Sequence, residues 1–483
     1  MSIHAHLSEE AQARLNAQKR NSTVSSIVIS ALAVVLIFLV LGIFLLPPIL
    51  EPYKPGVTWV PGEKAEPDIE RPKVKTSLRQ NPSPPSHTMT KVLVANTASL
   101  TAIPVPDTIV GTPSVDFGDG DDFGDFNGDS DGPGGGPEFT KLDPRFGKRC
   151  SKEDRLARLQ ETGGTIEGEE AVVKSLQWLK ATQNPDGSWT GDHPVAMTGF
   201  ALLVYLGHCE TPLSEEYGET VLRGITYLVN KGLEKDGRLT EKDLDSIQWV
   251  YDHGIATYAL AESYTFCKAL NVKIPELDTV TKKAGDIIMQ GQGNSGGWVY
   301  KFESTESGDN SVGFWQIQAL KACKHTGLWT DSKFRPAIRN ALAWLGKVQG
   351  KDGAIGYRAN PAQSPGLTGG GVLAFQMWDE GRSREARDGI KWIAENAKFG
   401  WGDESANLYY HYYHAQAMIN HGGKQWEGYN NMFRDKLIKA QNPDGSWTQG
   451  GIKHGPINVH MSTCMAALML EVYYRFLPGT GGK

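Results

Sequence analysis

The chain has 483 residues and a formal net charge of −6, from 49 lysine and arginine residues against 55 aspartate and glutamate residues. This mild balance, without a basic stripe, excludes the electrostatic footprint of a nucleic-acid-binding protein. The length exceeds what one hydrophobic core needs, so several segments are expected. The five cysteines show no Cys-x-x-Cys motif and no paired spacing, which predicts neither a zinc knuckle nor a disulfide framework. All but the first lie in apolar helical stretches and are interpreted as small buried hydrophobic residues: Cys150, Cys209, Cys267, Cys323 and Cys464.

A transmembrane helix is predicted near the N-terminus. Residues 27–46 are almost wholly apolar, and about 20 such residues span a bilayer as a helix. A secretory signal peptide is the alternative, but its apolar core is shorter and a small-residue cleavage site follows it, whereas Pro47 and Pro48 follow here. Basic residues precede the segment, so the positive-inside rule places the N-terminus in the cytoplasm. We expect a cytoplasmic tail over 1–23, an anchor over 24–50 in a bacterial cytoplasmic membrane, and the rest outside it, in the periplasm.

The anchor is followed by a stretch that cannot form a core. Residues 51–150 are rich in proline, glycine, serine, threonine and aspartate, which predicts a disordered stalk. Its short apolar run at 91–95 is interpreted as a linker segment, with addition to a partner's sheet edge as the alternative. The segment 127–138 approximates a calcium-binding loop, but it begins with asparagine and lacks flanking helices. We interpret its aspartates as a solvated acidic spacer.

Helical periodicity begins near residue 165. Amphipathic stretches alternate with stretches that are apolar nearly all round and rich in small residues. The amphipathic ones are expected on an outer ring, at 169–182, 219–231, 277–290, 334–348, 384–397 and 429–440. The apolar ones are expected on an inner ring, at 196–207, 255–269, 312–325, 371–377, 406–419 and 461–476. Six such hairpins predict an all-α (α/α)6 toroid over 151–483, with a cavity along its axis.

The turns within the hairpins repeat in sequence. Residues 183–190 and 441–448 are near-copies with the pattern Gln-Asn-Pro-Asp-Gly-Ser-Trp-Thr, and 292–298 keeps the glutamine, glycine and tryptophan at the same spacing. Asn-Pro-Asp-Gly favours a turn because proline fixes φ and glycine accepts a positive φ. The glutamine can reach carbonyls freed at a helix end, and the tryptophan can pack on the corner. Structural clamps are therefore predicted at Gln183, Trp189, Gln292, Trp298, Gln441 and Trp447. Degenerate turns are expected at 236–237, 352–353 and 400–401.

The pattern Gln-x-x-x-Gly-Ser-Trp ahead of an apolar helix resembles the repeat of squalene and oxidosqualene cyclases and of protein prenyltransferase β subunits, over roughly residues 165–478. The stretch 409–418, followed by Trp426, is similar to membrane-anchored squalene-cyclase-like repeat proteins of planctomycete and verrucomicrobial type. The resemblance implies a terpenoid-cyclase toroid. The anchor and proline-rich stalk look loosely like those of a TonB-type energy transducer, which suggests an accessory role in envelope transport as a further alternative.

The chemistry of these relatives is only partly represented. The acid motif Asp-x-Asp-Asp of hopene-type cyclases occurs at 119–122, in the stalk, and 243–246 stops one carboxylate short of it. The zinc ligands of prenyltransferases match at Asp309, but Ser311 replaces the cysteine and His460 is slightly displaced, so zinc of that kind is not expected. The Cys-Gly-Glu-Gln thioester of α-macroglobulins is absent from the sequence. Cofactor and metal content therefore stay unassigned.

Polar residues collect where the inner helices are expected to begin, and in a ring these starts converge on one mouth. The candidates for acid–base chemistry or for a mixed nitrogen and oxygen metal site are Asp252, His253, Asp309, His411, His414 and His460. The alternatives are helix capping for the aspartates, including Asp192, and core filling for the residues around His411. The sequence therefore supports two functional hypotheses. One is a toroid of cyclase or prenyltransferase type that binds an apolar ligand, for example an isoprenoid. The other is a non-catalytic module for a peptide, glycan or envelope lipid.

Overall fold

The computed structural model describes residues 148–189, 193–243, 246, 248–302, 307–448 and 458–475. The predicted anchor at 24–50, nearly all of the stalk at 51–150, the calcium-like loop and Asp192 lie outside the described residues. No helix within the described ranges is long and apolar enough to cross a membrane. The anchor and the stalk therefore stay predictions.

The outer helices are amphipathic, as their sequences predict. Their apolar faces are buried and their charged faces are exposed. The first of them is capped by Thr165, whose side chain accepts a hydrogen bond from the N–H of Gly168 at 3.1 Å. The outer helices are α2 Ile166–Thr182, α4 Gly218–Glu234, α6 Leu277–Gln290, α8 Arg335–Val348, α10 Arg384–Asn396 and α12 Gly423–Lys439. A further helix, α1 Lys152–Thr162, precedes them and was not predicted from the sequence.

The inner helices are buried on nearly all sides. They are α3 Pro194–Gly207, α5 Trp249–Ala269, α7 Asn310–Thr326, α9 Thr368–Met377, α11 Leu408–His421 and α13 Val459–Leu470, after which the short α14 Val472–Arg475 packs on α1. Each inner helix contacts the next one in this order, and α13 contacts α3. Outer helix α12 likewise contacts α2. The described residues thus form an all-helical closed ring without a β-strand, consistent with the predicted α/α toroid.

The predicted clamps are confirmed. Each clamp glutamine donates from Nε2 to the carbonyl of the turn glycine four residues later and to a carbonyl near the start of the next outer helix, at 2.7–3.0 Å. Each clamp tryptophan donates from Nε1 to the carbonyl ten residues earlier, at 2.7–2.8 Å. Gln441 closes the ring, because its second acceptor is Ala171 in α2. The turn at 352–353, expected to be degenerate, keeps the glutamine part of the clamp, since Gln349 donates to Gly353 and Glu385, both at 2.9 Å.

Aromatic side chains fill the axis of the ring. Phe200 in α3 and Trp315 in α7 meet edge to face, with ring centroids 5.2 Å apart, and Trp315 stacks on Tyr412 in α11 at 5.3 Å. These three helices alternate around the ring, so contacts among them cross the axis. The prediction of an open cavity is therefore wrong at this depth, because three large rings meet where it was expected. We call Phe200, Trp315 and Tyr412 the axial aromatic plug.

The sequence predicted no disulfide, and this prediction is wrong. Cys150 and Cys209 form a disulfide, with their Cα atoms 4.9 Å apart and a sequence separation of 59. The bond packs with Leu206 and Phe266 near the C-terminal end of α3. Spacing gave no signal for this pair, because the fold alone brings the segment before α1 to the end of α3. The other cysteines are buried free thiols, as predicted: Cys267, Cys323 and Cys464.

An ion-pair network joins α1 to the ring at the same end. The Glu169 Oε1 atom in α2 accepts from Arg155 Nε at 2.9 Å and lies 3.1 Å from His208 Nε2. The other ring nitrogen of His208 lies 3.0 Å from Glu210. Burial raises the pKa of Glu169, but the hydrogen bond and charge of His208, and then Arg155, outweigh it and lower the pKa to about 2. Burial lowers the pKa of His208, and its bonds to Glu169 and Glu210 raise it above its ordinary value.

Candidate functional site

Asp252 lies in the first turn of α5, at the mouth where the inner helices begin. It is 1% exposed. Its Oδ1 atom lies 2.8 Å from Nδ1 of His193, which precedes α3, and its Oδ2 atom accepts a hydrogen bond from Thr240 at 2.9 Å. The carboxylate therefore joins two neighbouring inner helices rather than capping α5. The structure thus pairs Asp252 with the partly exposed His193 rather than with His253, and Asp252 stays a candidate acid–base residue.

His253 follows Asp252 in sequence but points away from the mouth. It is fully buried; its Nδ1 accepts from the N–H of Leu239 at 3.0 Å, so Nε2 carries the proton and donates to the carbonyl of Ala284 at 3.1 Å. Burial lowers the pKa of His253 to about 4. Both ring nitrogens are thus occupied by backbone groups of the surrounding layer.

His411 and His414 are buried in α11 with their rings 5.4 Å apart. The Nε2 atom of His411 donates to the carbonyls of Ser405 and Lys398, at 2.8 and 3.0 Å, while Tyr429 in the outer helix α12 lies 2.6 Å from Nδ1. Burial lowers the pKa of His411 to about 4. Burial, and then the neighbouring His411, lower the pKa of His414 well below its ordinary value. These two histidines pack between the inner and outer rings of helices, as the core-filling alternative predicts.

His460 lies between α13 and the outer helix α2, against the indole rings of Trp178 and Trp189 at 6.0 and 6.2 Å. Its Nε2 atom donates to the carbonyl of Met197 at 3.1 Å, and burial lowers its pKa to about 4. The inner helix that carries His460 is three positions from α7, which carries Asp309, so the ring places them on opposite sides. No group of three or more metal-ligating side chains is found within the described ranges.

Asp309 is the candidate with the most developed surroundings. It caps α7: its Oδ1 atom accepts from the N–H groups of Ser311 and Val312 at 3.0 and 3.4 Å, and from the Ser311 hydroxyl at 2.6 Å. It is 1% exposed, and its Oδ2 atom accepts no hydrogen bond shorter than 3.5 Å within the described residues, although a longer hydrogen bond links the carboxylate to the Tyr357 hydroxyl. Arg358 Nη2 lies 3.9 Å from that oxygen, beyond hydrogen-bond distance.

Tyrosine hydroxyls converge on this aspartate. Tyr251 in α5 lies 2.7 Å from the Ser311 hydroxyl, and Tyr409 in α11 donates to the Ser311 carbonyl at 2.6 Å. The loop residues Tyr300 and Tyr357 have their hydroxyls 2.6 Å apart. Burial raises the pKa of all four tyrosines, and the charge of Asp309 raises each further. We call this set the mouth cluster: Tyr251, Tyr300, Asp309, Ser311, Tyr357 and Tyr409.

The sequence indicated only part of the mouth cluster. Asp309 was a candidate, Tyr251 directly precedes the candidate Asp252, and Tyr409 begins the stretch 409–418 that holds His411 and His414. Tyr300 and Tyr357 were missed because they lie on loops outside any repeat, and no pattern in the sequence relates them to Asp309. A separate feature, also missed, is a groove of about 340 Å³ between α10 and α12 on the outer ring. Its lining is Ile393, Ala394, Ala397, Lys424, Gln425, Gly428, Tyr429 and Met432.

The chain is similar in sequence to a terpenoid cyclase. It is 26% identical over 157 residues to a lanosterol synthase of Aspergillus fumigatus, a match that covers 31% of this chain and 21% of the synthase. The chain thus matches about a fifth of that relative's length. No family model matches the chain. Together with the clamp repeat, the similarity supports the predicted resemblance to a terpenoid-cyclase toroid.

Three solved structures are also similar, at TM-scores below 0.5. An α-1,6-mannanase of Salegentibacter, in complex with a mannotetrose, has a TM-score of 0.46 at 10% identity and covers 64% of this chain and 99% of its own. A protein from Actinoplanes has a TM-score of 0.39 at 14% identity, with coverages of 64% and 99%. A type II terpene cyclase from Scytonema, in complex with merosterolic acid A, has a TM-score of 0.28 at 14% identity, with coverages of 70% and 98%. The closed ring is established by the helix contacts of this chain itself.

Proposed function

We propose that this chain is a ligand-binding toroid that takes its ligand at the mouth cluster. The observation that carries the proposal is the buried carboxylate of Asp309, which is linked through Ser311 to the half-buried Tyr251. Within the part of the chain that the structure describes, its Oδ2 atom has no hydrogen bond shorter than 3.5 Å. Native proteins rarely leave a buried polar atom without a partner, because doing so costs about 1–3 kcal/mol. A functional site is one setting in which that cost is retained.

Binding is favoured over terpenoid cyclisation by the axial aromatic plug. A cyclase needs room to fold an isoprenoid chain along the axis, and Phe200, Trp315 and Tyr412 fill that space. The mouth above the plug can still present polar groups to a ligand that reaches it from outside. The proposal therefore follows the second of the two functional hypotheses.

The proposed location is outside the cytoplasmic membrane of a bacterium, with 24–50 as the anchor and 51–150 as the stalk. The disulfide between Cys150 and Cys209 supports this, because structural disulfides persist mainly in oxidising, extracytoplasmic compartments. A stalk of about a hundred residues would let the ring reach a ligand or an envelope component away from the membrane surface.

A second candidate function is the binding of an apolar ligand, such as an isoprenoid, in the groove between α10 and α12. Its volume of about 340 Å³ lies at the lower end of the range for small-molecule sites, and side chains such as Ile393, Ala397 and Met432 line it. Similarity to a lanosterol synthase is consistent with a ligand of that class.

The two sites are distinguished by one screen. The melting temperature of the full-length protein is measured against sets of amines, sugars, peptides and isoprenoid lipids, and each hit is repeated on Tyr409→Phe and Gly428→Trp variants. Gly428 has open space where a side chain would begin, so tryptophan can fill the groove without disturbing the fold. We expect hits that are lost in Tyr409→Phe and kept in Gly428→Trp. Hits lost only in Gly428→Trp would establish the second candidate, and hits indifferent to both variants would refute both.

A further inference from the structure

The proton positions in the mouth cluster are fixed by elimination. A carboxylate only accepts hydrogen bonds, so the Ser311 hydroxyl donates its single proton to Asp309. Tyr251 must therefore be the donor in its 2.7 Å bond to Ser311. Tyr409 also has its proton engaged, because it donates to the Ser311 carbonyl while accepting from the Trp315 N–H at 3.0 Å. The inner hydroxyls of the cluster thus direct their protons toward α7.

Tyr300 and Tyr357 continue this chain of hydrogen bonds with the same donor direction. The rings of Tyr251 and Tyr300 lie 6.1 Å apart, and a hydrogen bond from Tyr300 partly offsets the rise that burial causes in the pKa of Tyr251. Tyr357 is in turn 2.6 Å from Tyr300. A chain of donors that ends on a carboxylate makes each oxygen along it a better acceptor. What the cluster offers a ligand is therefore lone pairs, aromatic faces and the Oδ2 atom of Asp309.

The protein supplies its own cation at this place. The guanidinium of Arg358 lies over the ring of Tyr357, 5.4 Å from its centroid, and 3.9 Å from Asp309 Oδ2. Its side chain is 46% exposed. Within the described residues this arginine makes a distant ion pair and a cation–π contact but no hydrogen bond, so a ligand cation that approaches Asp309 more closely can displace it. Arg358 thus marks a cation position without filling it.

The dipole of α7 disfavours a cation at its N-terminus, so its partial positive charge has to be compared with the negative charge of Asp309. The N-terminus of α7 carries about half a positive charge, and three donors on Asp309 Oδ1 already face it. The carboxylate carries a full negative charge, so the balance favours a cation at Oδ2.

We propose, on the basis of the function proposed above, that the mouth cluster binds the primary ammonium group of its ligand, with Asp309 Oδ2 as counter-ion and with Arg358 displaced. The three N–H donors of an ammonium group match one carboxylate oxygen and two phenol oxygens, for which Tyr300 and Tyr357 are available. The tyrosine faces add cation–π attraction.

The test is calorimetric titration of the full-length protein with n-butylammonium chloride, compared with n-butanol and sodium butyrate at matched ionic strength. We expect saturable binding of the ammonium alone, about tenfold or more weaker in Asp309→Asn and tighter in Arg358→Gln. Asparagine caps a helix about as well as aspartate, so Asp309→Asn should keep its melting temperature. The matched control is Asp403→Asn, because Asp403 accepts from the N–H and hydroxyl of Ser405 in the same way but is exposed.

Equal binding of butanol and butylammonium would overturn the inference, as would equal loss of affinity in Asp309→Asn and Asp403→Asn. If Asp309→Asn unfolds, Tyr300→Phe is used instead; it removes one acceptor and should weaken ammonium binding severalfold. Failure of the ammonium inference can be distinguished from failure of the proposed function. A sugar or peptide whose binding is lost in Tyr409→Phe, together with no ammonium binding, would refute the cation inference and leave the mouth as the binding site.

Discussion

Replacing Trp315 by alanine tests whether side chains really fill the axis of the ring. Trp315 is 0% exposed and contacts four aromatic rings, with centroid distances of 5.2–6.3 Å. Core replacements of tryptophan by alanine cost about 3–5 kcal/mol, and the lost hydrogen bond from its N–H to Tyr409 adds about 1 kcal/mol. We therefore expect Trp315→Ala to lower the free energy of unfolding by about 5 kcal/mol. Trp315→Phe, which keeps an aromatic ring in place, should cost less than half as much.

The measurement is urea denaturation followed by far-ultraviolet circular dichroism, with near-ultraviolet spectra to report the packing of the remaining aromatic side chains. Trp392→Ala is the control, because Trp392 is only partly buried on the outer helix α10. If Trp315→Ala lowers the free energy of unfolding no more than Trp392→Ala does, the aromatic side chains do not pack across the axis, and an apolar ligand could occupy it.

Glu169→Gln should remove a pH dependence of stability. The pKa of Glu169 is about 2 in the folded state against an ordinary value of 4.5, so its charged form stabilises the fold above pH 4.5, and this stabilisation is lost as the pH falls toward 2. Urea denaturation at a series of pH values should show that loss as about 3 kcal/mol in the wild type. A variant that loses as much as the wild type over that window would contradict this. Reducing the bond between Cys150 and Cys209 should lower the free energy of unfolding by about 2–4 kcal/mol, with a double alanine variant insensitive to reductant. Gln441→Leu should cost about 2 kcal/mol, because two carbonyls lose their donor at ring closure; the exposed Gln425→Leu should change little, and equal effects would argue against the clamp.

The helices and clamps were predictable because their signals are local. Amphipathic and apolar periodicity located the outer and inner helices to within a few residues over most of the ring, and the Gln–Gly–Trp turns fixed the hairpins. The largest boundary errors have a common cause. Helix α5 was expected to begin at 255 and begins at Trp249, and α12 was expected to begin near 429 and begins at Gly423. In both added stretches, charged or polar residues and a glycine interrupt the apolar pattern.

The site was less predictable because the direction of a side chain on a buried helix leaves no trace in sequence. Asp252 and His253 are neighbours, yet one faces the mouth and the other faces the outer layer. On a helix that is apolar all round, periodicity does not say which face meets the axis. The disulfide and the contribution of Tyr357 likewise depend on contacts between distant segments, which only the closed ring creates.

The same local motif occurs four times within the described residues of the ring, and its different surroundings make Asp309 distinctive. At Asp186, Asp403 and Asp444 an aspartate also accepts from the N–H and the hydroxyl of a serine two residues later, but each of these carboxylates is exposed. At these three positions the carboxylate faces solvent, and its hydrogen bonds hold the local turn. At Asp309 the carboxylate is buried, and the serine hydroxyl continues into tyrosines that come from other parts of the ring. A capping aspartate becomes a candidate binding group when burial removes competing water and neighbouring helices supply further hydroxyls.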